Sequence, residues 1–517
     1  MDTQSQRFIL GLAMALCLGL AAGSAQAATG NKSGHVPPRA FPASWHGHTA
    51  GMSPQGASHG ATAGAVSQCP HSNAEVDQAV DGSYIYEAWI GCSDANGRSG
   101  IGFARSTNGG RTFGPSVLVP GSTPGGLIGG SWDPAVAVGP NGTLYVTYMV
   151  YSLTTNTSGN YVWQMSPAVA VSFDHGRTFP QVTILPVPPI GDFGDGYGNW
   201  GDRPFIAVGS DGAVYVTWDY GPRADQIGLL CDASGSCAYS RGDFNAVIQK
   251  SVDGGQTWTT TTAMSPGFPY GGAYLARIVV EPDGALGALY WAHHTDPSTL
   301  AVSNGTEYFT SSTDGGTSWS APVAVDPGVG TIALPTWWID GSLAVDSAGT
   351  LYAVWDTQSN SNDIGWLARS TDDGQTWSAP IQVTSGAGEN LLDVTAAGPG
   401  DVYVAWQTPN TPDGYATYLR RFSNATGWTT PATKISHAYG DPSIWAGDTF
   451  GLSTVQGPRG DGIGPAAVLS WGSAIHGNTV SEIYSSVVTL PPYPQSGQAV
   501  NARVPSGTDQ KKGNGRR

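Results

Sequence analysis

From about Ala74 to Leu490 the chain repeats one hydrophobic arrangement: a short apolar run, a polar turn, and a second apolar run ending in an aromatic. DPAVAVGPNGTLYVTY from Asp133, RPFIAVGSDGAVYVTW from Arg203 and GSLAVDSAGTLYAVW from Gly341 show it most clearly. AEVDQAVDGSYIYEAW from Ala74, ARIVVEPDGALGALYW from Ala276 and LDVTAAGPGDVYVAW from Leu392 follow the same plan, and GLSTVQGPRGDGIGPAAVLSW from Gly451 is a looser version. Short apolar runs bounded by turn residues predict strands, and Asn-Gly or Asp-Gly between two such runs predicts a hairpin. Asn141-Gly142, Asp211-Gly212 and Asp283-Gly284 supply those dipeptides. Most hairpins are followed by a third strand, such as IGFARS or IGWLARS.

After the third strand comes an octet of the form Ser-x-Asp-x-Gly-x-Thr-Trp/Phe. It reads STNGGRTF from Ser106, SFDHGRTF from Ser172, SVDGGQTW from Ser251, STDGGTSW from Ser312 and STDDGQTW from Ser370, with a fragment, SNATGW, from Ser423. A short fourth strand then closes each unit. Four antiparallel strands repeated in series predict a β-propeller, because one small twisted sheet cannot bury both faces while radially stacked sheets cover one another. Seven hairpins predict seven blades, and six is the alternative if a terminal unit lies outside the ring. The last unit shows only three strands, and residues 65–68 are placed to supply the fourth and remove an open edge. In the octet the Asp carboxylate is expected to accept turn N–H groups, Gly to supply positive φ, and the aromatic to pack between sheets. Asp174, Asp253, Asp314 and Asp372 are therefore assigned to structure; Asn108 takes the same place in the first octet.

Composition agrees with an all-β chain: 73 glycines, 18 tryptophans and only 12% charged residues among 517. The formal net charge of −16 argues against a nucleic-acid partner. Residues 1–27 read as a signal peptide, with Arg7, an apolar stretch from Phe8 to Gly23 and Ala25-Gln26-Ala27 at the cleavage site, so a secreted protein (extracellular or periplasmic) without a membrane span is expected. Residues 28–68 form a Gly/Ala/Ser/His-rich linker, 69–492 the propeller, and 493–517 a disordered tail. Four cysteines remain after cleavage, and sequence proximity favours Cys69–Cys92 and Cys231–Cys237 as disulfides. A monomer is expected.

The octets resemble the Asp-boxes, or BNR repeats, of the sialidase (neuraminidase) superfamily, and the resemblance runs from about Ala74 to Leu490. It implies a propeller whose substrate binds opposite the boxes, and an activity on glycans. Sialidases also carry a Phe/Tyr-Arg-Ile-Pro motif and an arginine triad that clamps a carboxylate. Here the nearest strings are DRPF at Asp202 and ARIV at Ala276, both in later blades. The triad finds no place residue by residue, which sets the expectation against exo-sialidase activity.

The loops leading into the first strand of each unit carry the candidate chemistry. They read SWDP (Trp132, Asp133), NWGDRP (Trp200, Asp202, Arg203), TWWIDG (Trp338, Asp340) and IWAGD (Trp445, Asp448). Loops leaving the second strand add Asp219, Tyr220, His293, His294 and Asp356. Trp faces stack on sugar rings and carboxylates bond hydroxyls, so this rim is the expected glycan cleft. Asp133 and Asp202 are candidates for an acid/base pair and Tyr220 for a nucleophile. Trp132, Trp200, Arg203, Arg277, Trp338, Asp340, Trp445 and Asp448 are candidates for substrate binding. The same residues have a structural use, with Trp filling gaps between blades and Asp capping strand starts. No cofactor is required; Asp192 and Asp195, in GDFGDGYGNWGD, form the kind of oxygen-rich loop that suits Ca²⁺. Two functions stand: a glycoside hydrolase, or a non-catalytic propeller that binds a cell-surface glycan or protein.

Overall fold

A computed structural model describes residues 73–489, apart from the internal segments 94–96, 193–197, 223–228, 232–236, 240–244, 267–270, 296–301, 326–340, 358–363, 385–389, 409–415, 437–438, 442–443, 445–446, 448, 456–465 and 476–480. The described residues form eight antiparallel sheets, seven of them the blades of a seven-bladed β-propeller. The first, second, fourth and fifth blades each have four strands in chain order. Blade 3 carries an inserted two-stranded hairpin, Leu229–Cys231 with Cys237–Tyr239, between its second and third strands. In blade 6 two short segments, Gly427–Trp428 and Thr433–Lys434, both pair with the third strand. Blade 7 shows three strands: Gly451–Val455, Ala466–Ser473 and Glu482–Thr489.

The innermost strand of each blade packs on that of the next, and Gly451–Val455 of blade 7 packs on Ala74–Asp81 of blade 1, so the ring closes on seven and not six. Residues 65–68, expected to complete blade 7, lie outside the described residues. Asn73 does reach blade 7: its N–H donates to the Ser481 carbonyl at 2.9 Å, and the Ser481 hydroxyl donates to its carbonyl at 2.6 Å. No helix among the described residues is long and apolar enough to cross a membrane.

There is no single central core. Apolar side chains gather in clusters between adjacent blades, such as Tyr145, Met149, Val169, Val214 and Trp218 between blades 2 and 3. One large ring anchors the second strand of every blade: Trp89, Tyr148, Trp218, Trp291, Trp355, Trp406 and Trp471, all at most 5% exposed. This is the aromatic that ends each apolar run in the sequence.

The octets form the expected turns. In five of them the serine hydroxyl donates to the Asn or Asp carboxyl-type oxygen two residues on, at 2.8–2.9 Å. The same serine oxygen accepts the N–H four residues on at 2.8–3.0 Å. Asp253 and Asp314 are pulled down to about 2 chiefly by the hydroxyls of Thr257 and Ser318, and Asp174 to about 2 chiefly by the Thr178 N–H. The closing aromatic leans on the preceding blade: Phe179 meets Phe103 edge-on at 5.1 Å, and Trp377 meets Phe309 at 5.4 Å. Gly374 has φ +76 and lies so close to Phe309 that a Cβ there would fall 1.9 Å from its ring.

Register separates the octets from the aromatic–acid loops. In blade 2, Ser172 of the octet pairs with Leu144, and Trp132 pairs with Met149, five residues or about 17 Å along the same strand. In blade 3 the octet's Ser251 pairs with Val214, and Asp202 pairs with Asp219. In blades 2 and 3 the octets and the loops that carry candidate chemistry thus occupy opposite rims.

Candidate functional site

The candidate rim is built on a repeated irregularity. In five blades the inner strand slips register near its start: between Ala74 and Asp77, Trp132 and Ala135, Asp202 and Phe205, Tyr274 and Arg277, and Asn390 and Leu392. Each slip holds a non-glycine residue in the left-handed region: Glu75 (φ +51), Asp133 (+47), Arg203 (+48), Leu275 (+61) and Leu391 (+56). A bulge of this kind kinks the strand and re-aims the side chains beside it, and left-handed non-glycine residues cost about 1–3 kcal/mol each. Arg203 N–H donates to Asp133 Oδ2 at 3.3 Å, and Leu275 N–H donates to Asp219 Oδ1 at 2.9 Å. A carboxylate of one blade therefore holds the bulge of the next, twice in succession.

Between blades 2 and 3 these bulges bring four predicted residues together. Trp132 Nε1 donates to Asp202 Oδ1 at 2.8 Å, and the Asp133 carboxyl is close enough to Asp202 to act on its ionisation. Asp202 is pushed well above the ordinary carboxylate range, first by burial and then by the negative charge of Asp133; Asp219 pushes the same way and Arg203 against it. Arg203 is buried, and Trp132 and Trp200 are half-buried. Asp219, also buried, acts as the staple for Leu275 just described.

The other predicted residues make different contacts, although Tyr220 pairs with Gly201 beside Asp202. Arg277 lies with its guanidinium 4.0 Å from the Phe205 ring centre, a cation–π contact between blades 3 and 4. Tyr220 packs edge-on against Trp218 at 5.3 Å, and burial raises its phenol to about 12, which keeps it protonated. His293 is fully buried in a stack with Trp291 and Tyr274, at 4.6 and 5.7 Å, and Asp356 is fully buried. Asp192 is exposed and accepts from Asn160 Nδ2 at 2.9 Å. Trp338, Asp340, Trp445, Asp448, Asp195 and Cys69 lie outside the described residues. Among the described residues no group of three or more His, Cys, Asp or Glu is placed to hold a metal ion. Cys92 is disulfide-bonded, and the backbone of Cys231 lies directly opposite that of Cys237.

The bulges and the Asp219 staple escaped sequence reasoning. Their one trace is the proline that follows Asp133 and Arg203, which marks an irregular strand start in two blades.

No family model matches the chain. Over 299 residues it is 28% identical to a xyloglucanase of a Paenibacillus species, a match that takes in 54% of this chain. The chain spans about a quarter, 26%, of the length of that relative. Among solved structures it is similar to a polysaccharide lyase, an ulvan lyase, with a TM-score of 0.50 at 12% identity over 80% of this chain and 94% of that one. It is also similar to the Hadza microbial sialidase Hz136, with a TM-score of 0.42 at 16% identity over 71% and 66% of the two chains. At these identities the structural likeness is one of fold.

Proposed function

We propose that this chain is a secreted, glycan-directed propeller that takes a neutral polysaccharide at the rim opposite the octets, over blades 2 and 3. The observation that carries the reading is the Trp132–Asp202–Asp133 cluster: an indole held by one carboxyl, beside a second carboxyl that accepts the Arg203 N–H. An aromatic face beside hydrogen-bonding carboxyls is the arrangement that recognises sugar rings and their hydroxyls. A match to a xyloglucanase over part of the chain supports the substrate class. Anionic sugars fit less well. Of the two arginines on the described inner strands, Arg277 is laid on Phe205, and Arg203 lies among three aspartates.

A sialidase-type mechanism with Tyr220 as nucleophile would need a carboxylate base beside its phenol, which burial holds protonated. Hydrolysis is the second reading, favoured by the buried Asp202 carboxyl, which is held toward its protonated form beside Trp132. Glycoside hydrolysis needs two carboxyls about 5 Å apart for retention or about 6.5–9.5 Å for inversion. Binding needs only the Trp132 indole and the Asp202 carboxyl, whereas hydrolysis needs Asp202 to face a second carboxylate at one of those distances, so binding is the primary reading.

The test is to present the mature chain with a panel containing xyloglucan, other neutral polysaccharides, ulvan and a sialoside, scoring both retention and products. Retention of a neutral polysaccharide supports the reading, and retention without products fixes it as a binding module. If products appear, their loss in Asp202→Asn assigns the proton donor. No retention of any glycan by folded protein overturns the proposal.

A further inference from the structure

Blade 2 is taller than its neighbour at the candidate rim. Its first three strands, Ile128–Val138, Leu144–Thr155 and Tyr161–Ser172, have 11, 12 and 12 residues, whereas those of blade 3 have 9, 8 and 7. Thr155 lies six residues beyond Met149, the partner of Trp132, so the hairpin rises about 20 Å past the level of the carboxyl pair. On this extension Tyr151 and Trp163 stack, with ring centres 4.7 Å apart and planes 7° from parallel. Gly129 of the first strand makes room for them: a Cβ there would lie 2.8 Å from Tyr151 and 3.1 Å from Trp163. Tyr161 follows Trp163 on the same face, since side chains alternate along a strand, and is 66% exposed.

The platform adjoins the candidate site. Asn199 Nδ2 donates to the Met165 carbonyl at 2.6 Å, so the loop that delivers Trp200 and Asp202 lies along the strand that carries Trp163. The charge pattern points to the kind of ligand. The second and third strands of blade 2, LYVTYMVYSLTT and YVWQMSPAVAVS, contain no charged residue in a chain of net charge −16. Uncharged aromatic faces in line attract the apolar faces of sugar rings and offer an anionic sugar no counter-charge.

We propose that Tyr161, Trp163 and Tyr151 form a remote subsite for the same neutral polysaccharide chain, holding sugar residues beyond those at Trp132 and Asp202. The inference rests on the glycan reading above. A remote subsite adds affinity only for chains long enough to span both places, so length dependence separates it from the primary site.

The test uses the mature chain, with affinity electrophoresis in xyloglucan or hydroxyethylcellulose and calorimetry with xyloglucan oligosaccharides of increasing length. Tyr161→Ala removes an exposed ring and leaves the fold intact. Trp163→Ala removes the stack, Trp163→Phe restores an aromatic face, and Gly129→Val displaces both rings. Each disruptive variant is expected to bind polymer about tenfold more weakly, as for the loss of one stacked aromatic, with short oligosaccharides unaffected and partial recovery in Trp163→Phe. If the unaltered chain binds polymer and Tyr161→Ala and Trp163→Ala bind it equally well, the subsite is wrong and the glycan reading stands. Equal loss for short and long ligands also overturns the subsite. If the unaltered chain binds neither probe nor any other glycan, both proposals fall.

Discussion

At the scale of single residues, Asp202 carries the most information. Its carboxyl is held toward the protonated form by burial and by Asp133, while Trp132 Nε1 fixes one of its oxygens. The folded pKa is raised above the unfolded value. The stabilisation is therefore complete below about pH 4, the usual aspartate range, and is lost as pH rises through the folded pKa. Asp202→Asn keeps an acceptor for Trp132 and removes the ionisation. The thermal midpoint of the variant is expected to fall less between pH 4 and pH 8 than that of the unaltered chain. A variant whose midpoint runs parallel to the original across this range would show that Asp202 is an ordinary ionised carboxylate. Asp133→Ala should weaken the bulge of blade 3 as well, because Asp133 also accepts the Arg203 N–H.

The octet is an element whose positions can be ranked. Its fourth position is left-handed and open: Gly254 has φ +74 and only the Tyr145 hydroxyl near its missing Cβ, at 3.9 Å. His175 and Asp373 occupy the equivalent place at φ +58 and +56, so a side chain is tolerated there. The fifth position, Gly374, is left-handed and also crowded by Phe309. Gly254→Ala is expected to cost about 1 kcal/mol, and Gly374→Ala several times as much or no folded protein, as read from denaturant midpoints. Equal costs at the two positions would contradict the packing described. The octet aspartates have the opposite sign to Asp202. Hydrogen bonds depress them, so their stabilisation is present above about pH 4 and disappears as pH falls toward 2. Acid unfolding of Asp253→Asn should lack part of that drop.

The octets were legible in the sequence because their Ser, Asp and Thr bond to one another within five residues, which forces the same letters at the same spacing. The blades were legible because every second strand needs one large buried ring. The bulges were not. Glu75, Asp133, Arg203, Leu275 and Leu391 share a backbone conformation and no residue type. What fixes them is register against the neighbouring strand, which leaves no local signature. Trp132, Asp133 and Asp202 stood out as residue types, but their meeting depends on two bulges in adjacent blades, some seventy positions apart.

At the scale of the whole molecule, closure joins blade 1 to blade 7 through buried polar groups. Ser470 Oγ lies 2.7 Å from Glu87 Oε1 and 3.0 Å from Gln78 Oε1, and Gln78 Nε2 donates to the Val468 carbonyl at 2.5 Å. Burial raises Glu87 to about 7, opposed by bonds from Ser485 and Ser470. Its contribution to closure is complete below about pH 4.5 and is lost as pH rises through 7. Glu87→Gln should leave stability unchanged at pH 4.5 and raise it at pH 8, by at most roughly 3 kcal/mol. A variant less stable than the original at pH 8 would show that the ionised carboxylate holds the ring together.

The central claim is that one rim builds the propeller and the opposite rim meets the glycan. It is tested most directly by calorimetric affinity for neutral polysaccharide in two matched variants, Trp132→Ala on the bulged rim and Arg177→Ala on the octet rim. The account predicts at least about a tenfold loss for Trp132→Ala and none for Arg177→Ala. Binding that survives Trp132→Ala and fails with Arg177→Ala would contradict it.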